Sequence, residues 1–393
     1  MFTVAGQVNV NLLVGSVPVE AGDIQPAQQT YVAEDIQNLE LVSVLEKAGG
    51  ELPVLTMQFR TRNEALVRSM NENSRIQLGL GSDDDTQDMA SSSFIVQSGS
   101  LHRIGNEFWL VNAKAIKSTL IEWLRPHVEI SDETSALQRI AAVAERAEGS
   151  NVYTNVPTSE DKQRWIQYGC PNRIHVNDIW LHTDMGTSFP LLANTLTDPG
   201  YEGGFRFYDA TKKFGERIDW VLSTLDTDLA QGAIGYDFLA GVESVSGMFN
   251  TLGARGHDMR AYVLDHGLDV PLSSSPAPSL LPEGIADVSQ AFAKVSNQRR
   301  PMSRNVHPRY WEAMIHNHTQ LGLHSSSALS VTWRNRYHPI HPLDVVRFKD
   351  RNIDDDSQSA GYSGLYVVSR VAHGFDHNTY NCTVQLVREA SHV

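Results

Sequence analysis

The clearest hydrophobic pattern lies near the C-terminal end. In Thr379–Arg388, Tyr380, Cys382, Val384 and Leu386 occupy one parity, and Asn381, Thr383 and Gln385 the other. Such alternation buries one face of a strand and wets the other. Asp344–Phe348 and Leu365–Phe375 are two further strand-like runs. Asp376-His377-Asn378 separates the last two runs with residues that tolerate tight turns. The spacing predicts a β-hairpin over 365–388. Just upstream, Ala328, Ser330 and Thr332 alternate with Leu329, Val331 and Trp333 in another strand.

Residues 1–130 also read mainly as β. Val4, Val8, Val10, Leu12 and Val14 share a parity, and Leu39–Leu45, Val54–Arg60, Phe94–Val96 and Phe108–Val111 continue the pattern. Leu78–Ser93, with its Asp83-Asp84-Asp85, reads as an exposed loop. The spacing of Ile116, Leu120, Ile121 and Leu124 predicts a helix over 113–124, ended by Pro126.

The period changes after residue 130. Asp132-Glu133-Thr134 precede Leu137, Ile140, Ala141 and Ala144, a capped helix that Gly149 ends. Thr158-Ser159-Glu160-Asp161 resembles a second helix start, leading into Gln163, Trp165, Ile166 and Tyr168. Asn172–Met185 predicts a short helix anchored by Ile179 and Trp180, and Leu191, Leu192 and Leu196 an irregular segment. GGFRFYDATKKF, at 203–214, reads as a strand and a turn, and Val221–Leu229 as strand or helix. Residues 270–306 contain a linker-like stretch, DVPLSSSPAPSLLPEG, and a helical candidate over Val288–Ser296. Trp311, Met314, Ile315 and Leu321 predict a helix over 308–321.

The resulting fold class is α+β, mainly β. The expected organisation is a β domain over 1–130, a helical domain over 131–200, and a second β domain over 201–393 with a helical insertion near 285–322, with discontinuous domains allowed. A length of 393 residues suits several cores rather than one.

Charge narrows the partners. With 46 acidic against 32 basic residues, the net charge is −14. That opposes broad nucleic-acid binding, which needs a basic footprint. An acidic passage would let DNA by without holding it. No apolar run approaches the roughly 20 residues that span a bilayer, and the start lacks a secretory pattern. Two cysteines, Cys170 and Cys382, make no disulfide framework, so assembly in a cytoplasm is the default expectation.

Chemistry-bearing residues form no strong motif. Nine of the 15 histidines lie between His307 and His392. His316 and His318 would face different sides of a helix, and Pro339 and Pro342 place His338 and His341 in an extended loop. Asp83–Asp85 and Asp354–Asp356 lack the alternation of a calcium loop. Gly361-Tyr362-Ser363-Gly364 is one residue short of a nucleophile elbow. Trp165, Trp180 and Trp311 suit core anchoring better than sugar stacking. No catalytic, cofactor-binding or metal residue is assigned, and no cofactor is expected.

The block LSVTWR…HPIHPLDVVRF at 329–348, SGLYVVSRVAHGF at 363–375 and YNCTVQLVRE at 380–389 resembles the central baseplate hub proteins of contractile-tailed bacteriophages. WIQYG at 165–169, NDIW at 177–180 and GGFRFYD at 203–209 give a weaker match. The resemblance implies two tail-tube-like β-barrels with a helical region between or beside them. It also implies a homotrimer joining a six-fold tail tube to a three-fold spike. The implied partners are the tube protein, a separate spike protein and other baseplate proteins, and the location is the virion tail. The chain ends shortly after Glu389, so the spike is expected to be another chain. The hairpin over 365–388 is expected to close the second barrel and hold a subunit interface. The alternatives are a tail-associated cell-wall glycan hydrolase and another tube-fold tail adaptor.

Overall fold

A computed structural model of the chain describes residues 2–4, 8–15, 30–31, 38–70, 74–82, 90–149, 152–156, 159–196, 204–216, 218–223, 233–238, 259–263, 268–271, 298–302, 307, 309–324, 327–334, 337–349, 363–376 and 379–388. The first strands are Phe2–Val4 (β1), Val8–Gly15 (β2), Thr30–Tyr31 (β3), Asn38–Ala48 (β4) and Val54–Thr61 (β5). Helix Glu64–Ser69 (α1) starts at Asn63, whose Oδ1 accepts from the N–H groups of Ala65 and Leu66. Arg75–Ser82 (β6), Ala90–Ile104 (β7) and Phe108–Lys117 (β8) follow.

The middle of the chain alternates. It runs Leu120–Leu124 (α2), Pro126–Thr134 (β9), Ala136–Glu148 (α3), Val152–Thr154 (β10), Gln163–Pro171 (β11), Asn172–His182 (α4) and Pro190–Asn194 (β12). Phe205–Asp209 (β13), Ala210–Glu216 (α5), Trp220–Ser223 (β14) and Ala233–Phe238 (β15) come next. Met259–Val263 (β16), Leu268–Pro271 (β17) and Gln298–Met302 (β18) form a small sheet of their own. The last elements are Tyr310–His324 (α6), Ser327–Arg334 (β19), Val345–Lys349 (β20), Gly364–Asp376 (β21) and Thr379–Arg388 (β22).

The large sheet is organised about β4. One edge of β4 pairs antiparallel with β5, and the sheet continues through β8, β7, β6 and β2. Its other edge pairs antiparallel with β21, which leads through β22 and β19 to β15. Near its end, Lys47 and Ala48 also pair with β12. The two terminal regions therefore share one sheet and one core. Val44, Leu55, Met57 and Phe59 from the first region pack with Trp333, Val371, Phe375, Val384 and Leu386 from the last. A second core joins α3 and α4 to β12 and β13 through Leu137, Ile140, Ile179, Leu192, Phe205 and Phe207. Among the described strands the pairings do not close into a ring, and the sheet is open.

The expected C-terminal hairpin is present, with Tyr380, Cys382, Val384 and Leu386 all buried. β21 pairs with both β4 and β20 besides β22, and β22 pairs with β19, so the hairpin's edges are covered within the chain. Its apolar face belongs to the chain's own core.

Other expectations need correcting. Residues 113–117 continue strand β8, and only Leu120–Leu124 is helical. Ile121 and Leu124 are exposed, and Trp123 is the buried anchor. Leu78–Ser82 and Ala90–Ser93 are strand rather than loop, while Asp83–Asp85 lie outside the described residues. Gln163–Tyr168 is strand β11, because the cap-like residues before it serve another helix, as described below. Leu191 and Leu192 sit in the fully buried strand β12, and 210–216 is helix rather than turn. Trp220–Ser223 settles the start of the 221–229 candidate as strand. The 288–296 helix and Asp354–Asp356 lie outside the described residues.

Candidate assembly surface and the buried clasp

Strands β9 and β11 form a two-stranded antiparallel ribbon, with Tyr168 opposite Val128 and Ile166 opposite Ile130. Period-2 alternation splits the ribbon into two faces. Trp165 and Gln167 turn inward and are buried, and Trp165 Nε1 donates to Thr134 O at 3.0 Å. The opposite face is apolar and wet: Val128 is 82 % exposed, Tyr168 78 % and Ile130 60 %. Ile121 and Leu124 on α2 and Ile174 on α4 are also exposed. A lone two-stranded ribbon is marginal without packing, so what lies beneath it matters.

Beneath it stands Arg139 of α3, almost fully buried. Arg139 Nη1 lies 2.8 Å from Glu129 Oε1, and Nη2 donates to Glu129 Oε2 at 3.1 Å and Gln167 Oε1 at 3.3 Å. Its Nε donates to His175 Nε2 at 3.2 Å, which requires a neutral imidazole. Burial and the Arg139 charge push His175 down to about 4, in agreement. The hydrogen bond from Arg139 leads in holding Glu129 down to about 2, with Arg146 assisting. One guanidinium thus ties both ribbon strands to α3 and α4.

The start of α3 is unusually well satisfied. Ser135 Oγ accepts from Gln138 N in a capping box. Ser159 Oγ accepts from Leu137 N at 3.2 Å, and Asp161 Oδ1 accepts from Ala136 N at 3.0 Å. Ser159 and Asp161 are therefore helix caps, as the sequence suggests, but for the helix before them.

A second constellation is buried. Glu46 on β4, His373 on β21 and His341 in the loop before β20 meet out of reach of water. His341 Nδ1 lies 3.2 Å from Glu46 Oε2, which also accepts from Leu196 N at 2.7 Å. His373 Nε2 is 3.5 Å from Glu46 Oε1, an ion-pair distance, and its Nδ1 is 2.7 Å from the Tyr380 hydroxyl. The loop holding His341 turns around Asp344. Asp344 accepts from His341 N, Trp220 Nε1 and Arg206 Nη1, and Leu343 takes φ 75° beside it.

The residues weighed from the sequence are scattered. His338 meets Trp220 and Trp333 edge-on, while His341 joins Glu46, so the H-x-x-H pair shares no ligand position. His316 Nε2 lies 3.0 Å from Ser188 O. Ser363 O accepts from Arg388. Trp165 is core, and Trp180 Nε1 donates to Pro190 O. The side chains of His318 and Trp311 lie outside the described residues. Among the described residues, no three His, Cys, Asp or Glu side chains are arranged to hold a metal ion.

Glu46, His373 and the ribbon were not among the residues expected from the sequence. A signal was present for each. Glu46 shares the parity of Val42 and Val44, and His373 that of Val371 and Phe375, so charge stood where apolar residues were due. Val128 and Ile130 alternate with Glu129 and Ser131.

No family model and no curated protein matches the chain. Solved structures do match. The 43 kDa tail protein of prophage MuSo2 from Shewanella oneidensis aligns over 97 % of both chains, with TM-score 0.55 and 9 % identity. A tail protein from Neisseria meningitidis MC58 aligns over 97 % of both chains, with TM-score 0.51 and 9 % identity. The E. coli c3393 protein, a type VI secretion component similar to T4 tail proteins gp27 and gp5, aligns over 89 % of this chain and 73 % of its own, with TM-score 0.50 and 10 % identity. The chain has the fold of these tail and secretion proteins.

Proposed function

We propose that the chain is a non-enzymatic structural component of a phage-type tail: the baseplate hub, a homotrimer that joins a six-fold tube to a three-fold spike. The observation that carries this reading is the fold likeness over 97 % of both chains to the Shewanella prophage tail protein. In this reading the strands on either side of β4 supply the two tube-like barrels of each subunit. Net charge of −14 suits a passage that lets DNA by. The wet apolar face of the β9–β11 ribbon is the surface where neighbouring copies meet, since contiguous exposed apolar side chains mark interaction sites. The buried histidines and carboxylates act as structural ties.

Quantitative mass spectrometry of purified tails tests the reading. Three copies per tail, beside tube and spike proteins, are expected; absence from purified tails overturns it. A second reading, the hub portion of a secretion spike, is favoured by the c3393 likeness. Co-purification with a secretion apparatus rather than with tails selects it.

A further inference from the structure

A cavity of about 390 Å³ opens between α5, α6 and the β20–β21–β22 sheet, lined by Phe189, Phe214, His324, Leu365, Tyr366 and Arg388 among others. Its size falls in the range of small-molecule sites. Most of the wall is apolar and aromatic. Phe214 stacks on His324 with ring centroids 4.9 Å apart, and Phe189 tilts against the same imidazole at 5.9 Å.

Three polar side chains, Gln320, His324 and Arg388, break the wall, and the last two are incompletely used. Arg388 lays its guanidinium over the Tyr366 ring at 4.6 Å and donates from Nη1 to Ser363 O at 3.0 Å. Its Nε is out of water and has no hydrogen-bond partner among the described residues. A guanidinium can take a carboxylate bidentately. His324 Nε2 is likewise buried without a partner among the described residues. Burial pushes His324 down to about 4, so at neutral pH it offers a neutral ring. Buried polar atoms left unpaired are rare, and each calls for an explanation.

The backbone makes room for this arrangement. A Cβ on Gly364 would stand 2.5 Å from Arg388 Nη1, and Gly364 holds φ +149°, which side-chain-bearing residues rarely adopt. Glycine at 364 is therefore what lets the guanidinium reach its place at the cavity.

We infer that this cavity binds an apolar carboxylate: an aromatic or branched aliphatic body among Phe189, Phe214 and Tyr366, with its acid on the guanidinium of Arg388, which lines the wall. The acid can come from a free small molecule or from the C-terminal residue of a polypeptide. The inference does not depend on the tail reading.

Calorimetry on the full chain tests it with four probes: 3-phenylpropionate, 3-phenylpropionamide, a short peptide ending in Phe with a free carboxylate, and the same peptide amidated. At least one carboxylate is expected to bind about 10- to 100-fold more tightly than its amide. Preference for the peptide acid identifies a chain terminus as the source, and preference for phenylpropionate a free acid. Arg388→Gln should remove the preference for acid over amide. Gln320→Trp, on the cavity wall, should abolish binding of every probe while circular dichroism stays unchanged. This variant keeps the test valid if Arg388→Gln fails to fold. Absence of binding by the wild type, equal binding of acids and amides, or undiminished binding to folded Gln320→Trp overturns the assignment.

Discussion

Glu46 and His341 stand 295 positions apart in the chain, yet Glu46 Oε2 and His341 Nδ1 lie 3.2 Å apart with both side chains fully buried. The contact ties strand β4 to the loop that enters β20. With His373 opposite and the Leu196 N–H on the same carboxylate, Glu46 joins three distant parts of the chain. Removing one partner of a buried ion pair leaves the other uncompensated and typically costs about 3–5 kcal/mol. Glu46→Gln should therefore lower unfolding stability by about 3 kcal/mol in urea titrations. A loss below about 1 kcal/mol would show that the clasp contributes little.

The clasp also sets a pH optimum. Burial favours a neutral Glu46, but the charge and hydrogen bond of His341, then His373, outweigh it and hold the carboxyl well below its usual range. For His373, burial opposes the charged form, while Cys382 and Glu46 outweigh it and raise the pKa. A lowered carboxyl pKa contributes stability above the unfolded value of about 4.3, lost as pH falls. A raised histidine pKa contributes stability below about 6.5, lost as pH rises. The clasp is at full strength between those values. His175 and His324, held neutral, have the opposite sign and lose their contribution as pH falls below about 6.5. Urea midpoints should fall from pH 6.5 to 9 in the wild type and fall less in His373→Gln. Parallel declines would contradict the assignment.

The cap supplied to α3 by Asp161 is testable by truncation. Asp161 accepts from Ala136 N, Asp184 N and Ser159 Oγ, so Asp161→Ala leaves three buried donors without this partner. Loss of a cap alone costs about 1 kcal/mol, and buried unpaired donors add to it. A loss of about 2 kcal/mol or more is expected, with amide exchange faster in the first turn of α3. Unchanged exchange there would refute the cap.

How much of this was legible depended on whether a pattern had one physical cause. The 365–388 hairpin was readable because alternation, turn residues and burial all agree there. Trp165, Ile166 and Tyr168 suit either period, and the cap-like Ser159 and Asp161 before them tipped the reading to helix. Only the fold shows that those caps serve α3, more than 20 residues earlier in the chain. The pairing of β4 with β21 was invisible for a related reason: strand partners far apart in sequence leave no local signal. The clasp was half legible, since a charge at a core-parity position announces a partner without naming it.

The two faces of the fold give contrasting mutants. Val384 is fully buried, so Val384→Asp should cost about 4 kcal/mol or more and yield insoluble chain. Val128 and Tyr168 are exposed, so Val128→Asp with Tyr168→Ser should leave monomer stability within about 1 kcal/mol while preventing self-association. Mass photometry and thermal melts separate the two effects. Self-association at wild-type strength in the ribbon mutant would move the interface elsewhere.

Cryo-electron microscopy of a complete tail particle carrying this chain is the sharpest test of the hub assignment. Three copies are expected around the tail axis, between tube and spike, with the β9–β11 ribbon face buried against a neighbouring copy. A complete reconstruction in which no such density fits the fold, or in which the ribbon face stands free in solvent, would contradict it.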